Sequence, residues 1–101
     1  MKYFIIEGVN RGSITKSEAE IGETLEKHRH YVNSGIEDGT ILFGGPKSAG
    51  DGGIIIIKAK TTEDAKTIMN NDPLATDGLH EPRLIEFDLY KSQKFAAEWF
   101  D

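Results

Sequence analysis

The stretch EKHRHYVNSG, residues 26–35, carries two of the chain's three histidines, His28 and His30, with one residue between them. Histidine is the side chain that most readily exchanges a proton near neutral pH, so this segment is where proton-transfer chemistry would be sited. Successive residues of a helix turn by roughly 100°, so the two rings would point about 200° apart. They cannot serve one ligand together. His28 falls on the apolar side with Leu25 and Val32. His30 falls with Glu26 and Asn33 on the polar side, where a histidine is a solvated surface residue. An inward His28 must place two ring nitrogens where water is scarce. It is either a structural residue bonded to a backbone carbonyl or an active one paired with a carboxylate that fixes its tautomer. Spacing leaves Asp72, Asp51, Asp77 and Glu7 open as partners. Asp72, in NNDPLATDG, also has a structural reading: Asp followed by Pro is a helix N-cap with proline at the first helical position.

The rest of the composition narrows the chemistry. The 101 residues hold no cysteine, which excludes thiolate nucleophiles, disulfides and Cys-ligated metals. No serine or lysine has a position that marks it as a nucleophile. What remains is proton transfer: elimination, isomerisation or tautomerisation of a small acidic compound. There is no HExxH, and His28, His30 and His80 lack ligand spacing, so no metal is expected. GGPKSAGDGG lacks the Gly-Lys-Ser/Thr of a P-loop. Its Gly44 and Gly45 either hold an oxyanion on their N–H groups or simply make a turn. Arg11 and Lys47 are loop cations that either meet an anionic group or stay solvated. The net charge of −5 argues against nucleic acid and against an anionic membrane surface. The longest apolar run, Ile54 to Ile57, is too short to span a bilayer. MKYFIIEG lacks a signal peptide's apolar segment and cleavage site, so a cytoplasmic location is expected.

The elements that must position His28 follow from periodicity. KYFIIEG reads as a strand ended by Gly8. From Ser17 to about Asp38 the pattern is helical, with Ile21, Leu25, His28, Val32 and Ile36 on one stripe. Ser17 and Glu20 make a capping box, and Gly39 suits a left-handed C-cap. TILFGG and GIIIIKAK are strands joined by the Gly-rich hairpin loop PKSAGDG. TTEDAKTIMNN is a shorter helix, capped by Thr61 or Thr62, with Ala65, Ile68 and Met69 inward. DPLATDG is a capped turn or half-helix. RLIEFDLY is a last strand, with Ile85, Phe87 and Leu89 on one face. The tail SQKFAAEWF reads as a short amphipathic helix or arm built on Phe95 and Trp99.

The order βαββαβ is an α+β, ferredoxin-like arrangement: a four-stranded antiparallel sheet with two helices on one face. Residues 1–91 form the domain, and 92–101 are a tail of the same domain. Ile54 to Ile57 sends isoleucines to both faces of its strand, whereas a sheet wet on one side alternates apolar and polar residues. A homodimer packed sheet on sheet would cover the second face. The competing solution is the tail folding back over it.

Taken together, these residues resemble the YCII-related family of small dimeric α/β-barrel proteins, from Lys2 to about Tyr90. The motifs are a helical histidine with an aromatic three residues on and a glycine at the helix end (His28, Tyr31, Gly39), then a strand ending in Gly45 and Pro46. GDGGIIIIKA follows, then Ala65, then Asp72 and Pro73 with Gly78 six residues after the aspartate. Leu74 departs from the aromatic often found after Asp-Pro, which alters the shape of any pocket beside Asp72.

The resemblance implies dimerisation through the sheets and a histidine–aspartate pair, carried over to His28 and Asp72. It also implies lyase-like activity removing halide from a hydroxylated aromatic. Tyr31, Gly45 and Pro46 are then expected to contact substrate. Two readings stand: a cofactor-independent lyase or isomerase using His28 and Asp72, or a non-catalytic dimeric module binding a small ligand or a protein. They differ in whether His28 and Asp72 meet at a cavity that solvent can reach.

Overall fold

The structure, a computed structural model, describes residues 1–100; Asp101, the last residue of the expected tail, lies outside them. The elements run β1 (Lys2–Asn10), α1 (Glu18–Asp38), β2 (Ile41–Pro46), β3 (Gly52–Ala59), α2 (Thr62–Asn70), α3 (Pro73–Thr76), β4 (His80–Phe87) and α4 (Lys94–Phe100). The strands form one antiparallel sheet in the order β2-β3-β1-β4. This is the expected ferredoxin-like topology.

Local chemistry sets the helix ends. Ser17 and Glu20 form the reciprocal capping box, and Gly39 closes α1 at φ 84° with its N–H on Ile36 O. Thr61 Oγ1 accepts from Asp64 N to start α2. Asp72 caps α3, with Pro73 at its first position.

The buried stripe of α1 differs from the apolar one. Thr24 and Gly35 are its buried residues, while Leu25 and Ile36 are exposed. A Cβ at Gly35 would lie 2.4 Å from Ile41 Cδ1, so the missing side chain is what lets α1 come down onto β2. Val32 of the expected stripe still packs against the core. β4 also differs from expectation, beginning at His80 rather than Arg83 and ending at Phe87, which leaves Leu89 outside it. Pro82 therefore lies within the strand. It is tolerated because β4 is an edge strand and needs no ladder bond from that nitrogen.

On the helix side of the sheet, Phe4, Ile6, Ile41, Ile55, Ile57 and Ala59 pack with Ala65, joined by Val32, Ile68, Met69 and Leu84. Phe4 and Ile57 are fully buried, each contributing about 2 kcal/mol of burial.

The other face is arranged in rows of directly paired residues. Lys58, Tyr3 and Phe87 form the first row, and the tail covers it. Phe100 packs edge-on against Tyr3 at 5.0 Å and Phe87 at 6.4 Å. Lys58 Nζ donates to Trp99 O at 2.6 Å, and Trp99 Nε1 donates to Gly39 O at 2.7 Å. The inward residues of the tail are Ala96 and Phe100, with Phe95 exposed, so the stripe is displaced by one residue from the expected Phe95–Trp99 pair. The next row, Phe43, Ile56, Ile5 and Ile85, lies beyond the tail, and Phe43 and Ile85 are exposed. Beside it stands a row with Ile54, Glu7 and Arg83. The tail therefore takes one end of the face and leaves the rest open.

Candidate functional site

A cavity of about 540 Å³ lies between the helix side of the sheet and the helices α1, α2 and α3. Its origin is glycine. Gly8 of β1 pairs directly with Gly53 of β3, Gly53 pairs with Pro46 of β2, and Gly44 sits in the adjoining position opposite Ile55. At this end of the sheet three neighbouring strands present almost no side chains toward the helices. The core that fills the other end stops here, and the space stays open. Two of these glycines also leave no room for a Cβ: at Gly44 it would lie 2.7 Å from Ile54 O, and at Gly8 2.5 Å from His80 Nδ1. The sequence offered the end of the strand TILFGG, a turn or an oxyanion site for Gly44 and Gly45. Here they belong to a strand, and Gly45, Pro46 and Gly44 all line the cavity.

His28 and Asp72 meet at the wall of this cavity. His28 Nδ1 is 2.8 Å from Asp72 Oδ1, with the side chains 25% and 13% exposed. An aspartate can only accept from a ring nitrogen in this contact, so Nδ1 carries the proton and Nε2 is left for another partner. The same Oδ1 accepts the Leu74 N–H at 2.9 Å. Asp72 is therefore both the N-cap of α3 and the orienter of His28. The two readings that the sequence set against each other hold together. The cap fixes the carboxylate on the backbone, and the fixed carboxylate then holds the imidazole.

The other carboxylates are engaged elsewhere. Asp77 Oδ2 accepts from Thr24 Oγ1 at 2.6 Å, and that bond holds its carboxyl below the ordinary range, helped by Lys27 and Lys16. Glu7 pairs with Lys47 at 2.8 Å, and Asp51 lies 3.8 Å from the same ammonium. Lys47 is thus an ion-pair partner, and Arg11 is exposed. His30 faces solvent as expected, 3.7 Å from Glu26.

Tyr31 is placed apart from the cavity. It was expected beside substrate, but its hydroxyl donates to Ile68 O and it borders a second, smaller cavity between α1 and α2. Burial, and then the charges of Asp72 and Asp38, push its phenol above the ordinary range, so it acts as a neutral donor. Three residues along a helix is about 60° around from His28, enough to point Tyr31 at α2 instead.

His80 is the residue that sequence reasoning missed. It lines the same cavity as His28 and Asp72. No local signal identified it, because its place depends on β4 pairing with β1 opposite Asn10. Among the described residues no three His, Asp or Glu side chains gather as a metal-ligand set. No helix of the structure is long and apolar enough to cross a membrane.

The four-stranded antiparallel sheet, its helix-side cavity and the His28–Asp72 pair define a ferredoxin-like α+β protein with a largely apolar pocket that carries a histidine–aspartate pair at its wall. The YCII-related domain model matches residues 1–88, and the chain belongs to that family. The fold is similar to that of 5-chloro-2-hydroxyhydroquinone dehydrochlorinase (TftG) from Burkholderia phenoliruptrix, solved in complex with 2,5-dihydroxybenzoquinone. The two share 21% identity and a TM-score of 0.66, covering 92% of this chain and 97% of that one. No curated protein matches the sequence.

Proposed function

We propose that this chain is a small enzyme of lyase or isomerase type that moves protons on a small phenolic or carbonyl compound. His28 is its general base, and Asp72 holds that base in place. The observation that carries this reading is the 2.8 Å contact between His28 Nδ1 and Asp72 Oδ1 at the wall of a roughly 540 Å³ cavity. A structural histidine has no need of a cavity. A proton-transferring one needs a fixed tautomer, a free Nε2 and space for a ligand. Family membership and the likeness to a dehydrochlorinase support the same class of chemistry. Gly45 and Pro46, on the cavity lining, are the substrate contacts in this reading.

The active unit is a homodimer packed through its sheets. Phe43, Ile54 and Ile85 are 52%, 41% and 46% exposed on the face that the tail leaves open, and a second copy would bury them.

The test is a substrate screen. Chlorinated and non-chlorinated hydroxyhydroquinones and enolisable carbonyl compounds would be followed by chloride release and by absorbance. Turnover by the wild type, lost in a folded His28→Gln, is the expected result. Turnover undiminished in His28→Gln would remove His28 as the base. Absence of both turnover and ligand-induced shifts in the His28 resonances would favour a non-catalytic module.

A further inference from the structure

The mechanism above uses one of two imidazoles in the cavity. His80 opens β4, and the residue before it is held through both its backbone groups: Arg11 N donates to Leu79 O at 3.0 Å, and Leu79 N donates to Leu74 O at 2.9 Å. Leu79 is buried, and Pro82 stiffens the strand two residues on. The ring is therefore mounted on a rigid segment. It lies against the β1 backbone at Gly8, where a methyl group would come within 2.5 Å of Nδ1. It occupies space that only glycine leaves.

Yet the ring has no hydrogen bond or ion pair among the described residues. Asn10, opposite it in register, donates its amide N–H to Gly50 O, and Asp72 Oδ1 accepts from His28 Nδ1 and Leu74 N. A half-buried imidazole that borders the cavity with no partner of its own is free to contact a ligand there.

We infer that His80 is a second substrate-contacting residue, which receives an oxygen substituent of a planar ring compound whose opposite side meets His28. This rests on the proposed use of the cavity and goes further by specifying the ligand: a flat ring with polar groups on two sides. The floor agrees, since the backbone of Gly8, Gly44 and Gly53 offers a broad surface without side chains. So does the electrostatic setting. Burial lowers the tendency of His80 to take a proton. Asp72, from the α2–α3 junction, opposes this, while His28 from α1 and Lys47 from the β2–β3 loop reinforce it. Near neutral pH the ring is ready to accept a hydrogen bond from a hydroxyl.

The test uses 2,5-dihydroxybenzoquinone as probe, with ring resonances of both histidines followed by NMR and affinity by absorbance. The wild type, His80→Gln and Gly8→Ala would be compared. Gly8→Ala displaces the His80 ring without removing it. Expected are shifts at both His28 and His80 in the wild type, and up to about tenfold weaker binding in either variant, the scale of one lost hydrogen bond between neutral groups. Shifts at His28 alone, with binding unchanged in both variants, would overturn the role of His80 and leave the His28 site standing. Shifts at neither ring would overturn the reading of the cavity and this inference with it.

Discussion

Asp72 does two jobs with one oxygen, and a pair of substitutions separates them. Alanine removes both. Losing the N-cap of α3 costs about 1 kcal/mol, and losing a charge-assisted bond to a largely buried imidazole costs about 1.5 kcal/mol more. The sum of about 2.5 kcal/mol, with a urea m-value near 1.5 kcal/mol/M, lowers the unfolding midpoint by roughly 1.7 M. Asparagine is as good a cap as aspartate, and its amide oxygen still accepts from Leu74 N. Asp72→Asn should therefore cost only about 1 kcal/mol or less. It nevertheless removes the negative charge facing His28 Nδ1, and a base whose orienting carboxylate is neutralised loses about 10²- to 10⁴-fold in rate. The assay pairs urea titration with nitrogen NMR of the His28 ring at a pH where it is neutral. In the wild type the proton sits on Nδ1; in Asp72→Ala that preference is lost. If Asp72→Ala keeps the Nδ1–H form, the pairing is not what sets the tautomer. If Asp72→Asn is as unstable as the alanine variant, the division between cap and orienter is wrong.

Three further outcomes follow from the geometry. Gly52→Ala would place its Cβ 1.8 Å from Gly8 O at a φ of 141°, which should cost at least about 3 kcal/mol in chemical denaturation, whereas Gly12→Ala, with nothing within 4 Å, should stay within about 0.5 kcal/mol. His80 binds its proton less readily folded than unfolded, so the unfolded chain takes up the extra proton first. Stability should therefore fall as pH drops through 6.5 and level off below the folded value, and His80→Gln should flatten that segment of a pH series of urea midpoints. Ile85→Lys on the open sheet face should convert a dimer into a monomer in sedimentation velocity while leaving the circular dichroism spectrum unchanged; a wild-type monomer at micromolar concentration would refute dimerisation through that face.

Sequence determined this chain wherever the cause was local. Ser17 with Glu20, Gly39, Thr61 and the Asp72–Pro73 step each announced a helix end, because capping is chemistry between residues two to four apart. The strand runs and the split of isoleucines over two faces followed from a period of two. His28 stood out by its position on an otherwise apolar stripe, and the order of elements then gave the topology.

Tertiary structure decided whatever depended on residues far apart meeting. Four carboxylates were open as partners of His28, and only the packing of α3 against α1 selected Asp72. Gly35 let α1 come down onto Ile41, Leu25 and Ile36 came out exposed, and Tyr31 was turned to Ile68 instead of the cavity. The cavity itself was hidden among glycines that read only as strand ends or turns. It exists because strand pairing sets Gly8, Gly53 and Gly44 side by side, and no local pattern records which strand lies next to which. For the same reason His80 showed nothing as a lone histidine in the stretch DGLHEP, and became part of a site only once β4 had paired with β1.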